Sequence, residues 1–110
     1  MVAALARASG GRLLDGVTLE ARSGEIVAVY GLLGSGRSEL LETMAGARPD
    51  ATGRVFVLGQ DVSRLGVADR RDRRIALAPE DRQRDGLCAN LSVGENLALS
   101  CVGAHARRGL

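Results

Sequence analysis

The chain has 110 residues, a formal net charge of +2 and 45% hydrophobic residues, proportions that suit one soluble globular domain or part of one. So small a charge, with Tyr30 and Phe56 the only aromatic residues, argues against a nucleic-acid face built on base stacking. No run approaches the roughly 18 apolar residues of a membrane span, and Cys88 and Cys101 lack metal-ligand spacing, so reduced thiols in the cytosol are expected.

From the N-terminus, residues 2–6 (Val-Ala-Ala-Leu-Ala) read as a weak strand, too short and too soon interrupted by Arg7 for a signal-peptide core. Ser9, Gly10 and Gly11 read as a turn, and residues 17–21 as a second strand with partial alternation. The two are expected to pair in an antiparallel layer. Residues 26–30 (Ile-Val-Ala-Val-Tyr) form a β-branched run without polar alternation, which predicts a strand covered on both faces at the centre of a parallel sheet.

The motif around which the chain is organised comes next. Gly31, then four residues, then Gly36-Arg37-Ser38 matches the phosphate-loop pattern, with arginine in place of lysine. Gly31, Gly34 and Gly36 permit positive φ and close backbone approach, so N–H groups from about Gly34 through Ser35 to Ser38 can converge on one anion. That anion would lie at the N-terminus of the following helix, where Leu40, Leu41, Met44 and Ala45 form an apolar stripe and Gly46 a C-cap. The Ser38 hydroxyl would ligate a magnesium ion bridging phosphates, and Arg37 would meet the terminal phosphates. A planar fork keeps the charge of lysine but not its shape, which makes binding a firmer expectation than hydrolysis. All 15 basic residues are arginine, so composition offers its own account of Arg37. An ordinary glycine-rich strand-to-helix turn is the structural alternative.

Residues 48–53 predict a turn and residues 54–58 a strand, with Gly59, Gln60 and Asp61 turning a hairpin into Val62. Between positions 69 and 85, six arginines mix with five carboxylates, a pattern that predicts a solvated, ion-paired surface. Within it, residues 75–78 (Ile-Ala-Leu-Ala) predict a short buried strand ended by Pro79. Glu80 and Asp81 would then stand at the strand's exit, where α/β sheets bind ligands. Glu80 is thereby a candidate for the same site as Arg37, against the alternative of a surface carboxylate paired with a nearby arginine. Ser92 and Glu95 form a capping box that opens a helix, and residues 103–110, with the sole histidine His105, are a polar tail.

Four stretches together resemble one family, the ATP-binding subunits of ABC transporters, in particular the second ATPase half of the tandem subunits that drive bacterial sugar import. They are Ser23-Gly24-Glu25-Ile26-Val27 leading into residues 31–40; Thr52-Gly53-Arg54-Val55 with Gly59; Pro79-Glu80-Asp81-Arg82 followed by Gly86-Leu87; and Leu91-Ser92-Val93-Gly94-Glu95-Asn96-Leu97. Order and spacing agree over residues 2–102. The resemblance implies an α/β fold, an incomplete P-loop NTPase core of ABC ATPase type with an N-terminal antiparallel β layer. Residues 1–102 would be the N-terminal part of the ATP-binding domain and residues 103–110 the tail where it is cut off.

The same resemblance implies ATP and Mg2+ as ligands. Gly31, Gly34, Ser35, Gly36, Arg37, Ser38 and Glu39 would hold the nucleotide, and Ser38 and Glu80 the magnesium, Glu80 standing where most relatives have glutamine. It implies peripheral attachment at the cytoplasmic face, on membrane permease subunits met by the segment after Glu80, toward Leu91. A partner ATPase half and, indirectly, a sugar-binding protein complete the expected assembly, with no nucleic acid. Departures accompany the matches. The adenine-stacking aromatic is missing, with Arg12 its candidate substitute, and the signature motif, the strand bearing the catalytic carboxylate and the switch histidine do not occur. An N-terminal piece, inactive alone and poorly soluble through an uncovered sheet edge, is expected. Two other functions compete: a half that holds Mg-ATP without hydrolysing it, and another P-loop enzyme such as a small-molecule kinase, disfavoured by the 52–62 hairpin.

Overall fold

The computed structural model describes residues 2–10 and 14–102. Two compact units divide the chain, Met1–Leu77 and Ala78–Leu110. Arg12 and the 103–110 tail, with His105, lie outside the described residues.

The first unit is a four-stranded antiparallel sheet in the order β2-β1-β3-β4, formed by β1 (Val2–Gly10), β2 (Leu14–Arg22), β3 (Thr52–Val57) and β4 (Gln60–Asp61). β1, weak by propensity, takes the inner place because both of its edges find partners: Leu5 stands opposite Glu20 on one side and Phe56 on the other. Ladder bonds on both sides outweigh the poor strand preference of its alanines. The β3–β4 hairpin turns through Leu58 at φ 50 and Gly59 at φ 80, the paired positive values of a tight hairpin turn.

Helix α1 (Arg37–Ala45) lies against β1 and against α2 (Val67–Asp72), giving the expected α/β combination with an antiparallel layer. Val55 and the fully buried Val62 pack with Met44, Leu65 and Ile75, while Leu14 and Leu40 pack with Val17 and Met44. Met44 joins the two clusters. Leu41, placed in the apolar stripe by its sequence, is 44% exposed; Thr43 is buried instead, its hydroxyl satisfied by the Glu39 carbonyl at 2.7 Å.

Two expected strands do not form. Residues 26–30 have no ladder partner among the described residues, and Ile26 and Tyr30 are 96% and 91% exposed. A strand of a parallel sheet exists only through its neighbours, and β-branched composition does not replace them. Residues 75–78 likewise run as irregular chain, with Ile75 and Leu77 half-buried and Ala76 and Ala78 exposed.

In the second unit, α3 (Arg82–Asp85) and α4 (Val93–Ala98) lead to a 3-10 turn at Leu99–Cys101. The capping box is complete: Ser92 Oγ accepts from the Glu95 N–H, and the Glu95 carboxylate accepts from the Ser92 N–H at 2.8 Å. Asn96 binds the preceding loop to α4, accepting from Cys88 N–H and donating to the Cys88, Leu91 and Ser92 carbonyls. Cys88 and Cys101 are exposed, and no disulfide joins them. None of the described helices is long and apolar enough to cross a membrane.

Candidate functional site

The glycine-rich segment forms a tight, locally determined turn. Gly34 and Gly36 take φ 80 and 88, conformations a side chain would strain. Gly31 approaches Ser35 so closely that an added Cβ would stand 2.3 Å from its Oγ. The Ser35 N–H donates to the Leu32 carbonyl at 3.1 Å, so this amide, counted from sequence among the anion donors, is engaged within the loop.

Gly36 is the buried N-cap of α1 and offers no side-chain cap. The first helical bond runs from Leu40 N–H to the Gly36 carbonyl at 2.9 Å. The N–H groups of Arg37, Ser38 and Glu39 thus head the helix where no carbonyl of the same helix reaches them, at the positive end of its macrodipole. All three side chains are half-buried, whereas residues 31–35 are exposed. Arg37 and Ser38 therefore share the first turn of the helix. The Glu39 carboxylate favours the helix dipole but repels a bound anion, and the Arg37 guanidinium offsets it.

The far end of α1 is held as firmly. Gly46, at φ 79, sends its N–H to the Thr43 carbonyl, and Ala47 N–H reaches the Glu42 carbonyl at 2.9 Å, closing a left-handed C-cap. Arg70 then donates to four main-chain carbonyls, those of Thr43, Met44, Ser63 and Leu65, at 2.7 to 2.8 Å. Only 4% exposed, it is a structural anchor that reading residues 69–85 as a solvated surface missed. Burial pushes its pKa below the usual arginine value, and the field of Asp61 partly opposes this. Its position between Leu65 and Ile75 was the only sequence signal. The remainder of the charged run follows expectation, with Arg71–Asp72 and Arg84–Asp85 as exposed ion pairs.

The loop and first turn fit a polyphosphate: glycines leave the main chain uncovered, and Arg37 and Ser38 supply a cation and a hydroxyl. No cluster of three or more His, Cys, Asp or Glu that could hold a metal occurs among the described residues. Ser38 is the residue that would hold a magnesium otherwise carried by phosphate oxygens and water. Glu80 lies in the second unit, exposed, one position before Asp81, whose carboxylate N-caps α3 by accepting from the Gln83 and Arg84 N–H groups at 3.1 Å. With residues 75–78 not a strand, the exit position that nominated Glu80 is not formed.

Residues 14–109 match the family model described as ABC transporter. The chain is 38% identical, over 92% of its length, to the arabinose import ATP-binding protein AraG of Mannheimia succiniciproducens. It is 41% identical over 90% to the ribose import ATP-binding protein RbsA of Rhodopirellula baltica, and 42% identical over 87% to the xylose import ATP-binding protein XylG of Burkholderia cenocepacia. These matches cover 19 to 20% of the relatives, so the chain spans about a fifth of their length. No solved structure matches significantly.

Proposed function

The chain belongs to the ABC transporter family, and from that premise we propose that it supplies the phosphate-binding part of an ATP-binding component for sugar import. The observation that carries this reading is the start of α1: two left-handed glycines, an N-cap without a side chain, and Arg37 and Ser38 on the first turn. Amides and dipole receive the phosphates, the Arg37 fork neutralises their charge, and Ser38 orients the magnesium. Gly31 and Gly34 keep the approach open. ATP and Mg2+ are the ligands.

The sugar-import relatives support carbohydrate as the cargo class, with permease subunits, a second ATPase half and a sugar-binding protein as the assembly. Docking on the cytoplasmic side of the membrane follows from that assembly. In the second unit no side chain whose burial is described is buried, and Leu87, Val93 and Leu97 are 53%, 79% and 74% exposed. Such uncovered apolar surface favours a partner-facing role for the segment after Glu80. The pairing strands for residues 26–30 belong, on this reading, to the rest of the domain.

Titration of ATP into the chain, followed by amide NMR with and without magnesium, tests the site. Saturable shifts at residues 34–39, strengthened by magnesium and losing that strengthening in Ser38→Ala, are expected. No response at millimolar ATP rejects the proposal for this chain.

Arg37 favours a second reading, a half that retains Mg-ATP without hydrolysing it, because its fork does not reproduce the point charge of lysine. Single-turnover hydrolysis in the full-length subunit decides: turnover equal to that of the partner half rejects it. The small-molecule kinase alternative is disfavoured, since α1 is followed by the β3–β4 antiparallel hairpin and not by a parallel crossover.

A further inference from the structure

The first unit holds an open cleft of ≈ 380 Å³ whose lining includes Arg48, Arg64 and Arg70 with Gly46, Gly53 and Gly66, and no carboxylate. It lies at the C-terminal end of α1, the opposite end from the phosphate loop and roughly 13 Å along the helix axis from it. We propose that this cleft is a second anion site, which takes a phosphate group, free or as a small phosphate ester.

Arg70 supplies the central reason. A buried charge is ordinarily balanced by an opposite one, yet among the described residues Arg70 forms no ion pair, and its four bonds all go to neutral carbonyls. Its Nη2 carries one N–H beyond the bond to Ser63. Arg64 is exposed on the lining and forms no hydrogen bond or ion pair among the described residues. Arg48 is committed only loosely, to Glu42 at 3.4 Å and Asp50 at 3.7 Å, contacts of a kind that contribute little and exchange readily for a dianion.

Opposing charge is present and weaker. The carbonyl end of α1 counts for about half a negative charge, and it already faces Arg70; Asp61, whose field reaches Arg70, is bonded by Arg54 and Ser63, and it and the two carboxylates on Arg48 stand outside the lining. Guanidinium forks match phosphate oxygens in pairs, and glycines at 46, 53 and 66 leave main chain uncovered for the same ligand. Val55 and Leu65 add an apolar wall suited to the carbon part of a phosphate ester.

The test is a titration of inorganic phosphate into the full chain, read by amide NMR against sodium chloride of equal ionic strength. Saturable shifts at residues 46, 53, 64 and 66 are expected from phosphate and not from chloride. Arg64→Ala, an exposed change that leaves the fold intact, weakens this response by about tenfold, and Arg64→Lys restores part of it. Responses confined to residues 34–39, equal effects of chloride, or unchanged binding by Arg64→Ala each overturn the proposal. Failure of the ATP site is read separately, since Ser38→Ala alters the 34–39 response and leaves the cleft response in place.

Discussion

Arg70 closes the C-terminal end of α1 through Thr43: its Nη1 donates to the Thr43 carbonyl at 2.8 Å across 27 positions of sequence. The same fork reaches Met44, Ser63 and Leu65, so one side chain ties the end of the loop-bearing helix to the turn after β4 and to the start of α2. The glycine loop opens from the other end of that helix. Its orientation therefore depends on Arg70 as well as on the packing of Leu40 against Leu14.

Replacing Arg70 by Met keeps much of the volume but strands the carbonyls of Met44, Ser63 and Leu65. The expected cost is about 3 kcal/mol or more, seen as a lowered urea midpoint with loss of amide protection in α1 and α2. Arg70→Lys recovers only a small part, because an ammonium cannot span all four acceptors. A midpoint unchanged in Arg70→Met would show that these bonds contribute nothing net.

Arg74, at φ 68, occupies the left-handed position just after α2, with its N–H on the Arg71 carbonyl and the Ile75 N–H on the Arg70 carbonyl. A side chain there is disfavoured by roughly 1–2 kcal/mol. Arg74→Gly is expected to add stability in that range, less the added chain entropy of glycine, and so to raise the urea midpoint. Arg74→Val should lower it.

The same logic applies at Leu58, whose φ of 50 leads the hairpin turn and whose side chain is 51% exposed. Asn tolerates this conformation, and Asn-Gly is the favoured pair for such a turn. Leu58→Asn is expected to stabilise by about 0.5–1 kcal/mol and to slow amide exchange in β3 and β4. Faster exchange would contradict the assignment.

Asp61 gathers the hairpin's polar contacts, and hydrogen bonds from Ser63, then Arg54, hold its carboxyl well below the usual carboxylate range. A carboxylate depressed in the folded state contributes stability above its unfolded pKa of about 3.9, lost as pH falls through the folded value. Hairpin amide protection should thus weaken only below about pH 4 on account of this group, and Asp61→Asn should remove that dependence. Titration of the Asp61 side chain by NMR at the ordinary value would refute the prediction.

Gly31→Ala places a methyl in clash with Ser35 Oγ and Cβ, so Ser35 must shift within the Leu32–Ser35 turn. ATP affinity is expected to fall by about tenfold or more, with a large shift of the Ser35 amide. Unaltered affinity would mean that this turn does not shape the phosphate site.

Much of the site was legible in the sequence because its causes are local. Glycine at 34, 36 and 46, the Ser92–Glu95 capping box and the Gly59 hairpin each act within a few residues, and each stands where the sequence placed it. Tertiary structure decides wherever a residue's fate rests on distant chain. Arg70 resembles its charged neighbours until the end of α1 arrives to bury it. Residues 26–30 carry strand propensity, but only a neighbouring strand can satisfy their main-chain donors and acceptors, and none of the described residues does so. Weak by itself, β1 became the inner strand for the converse reason: β2 and β3 meet both of its edges. Short-range geometry was thus written in the residues themselves, whereas burial and strand pairing were decided by which segments the fold brought together.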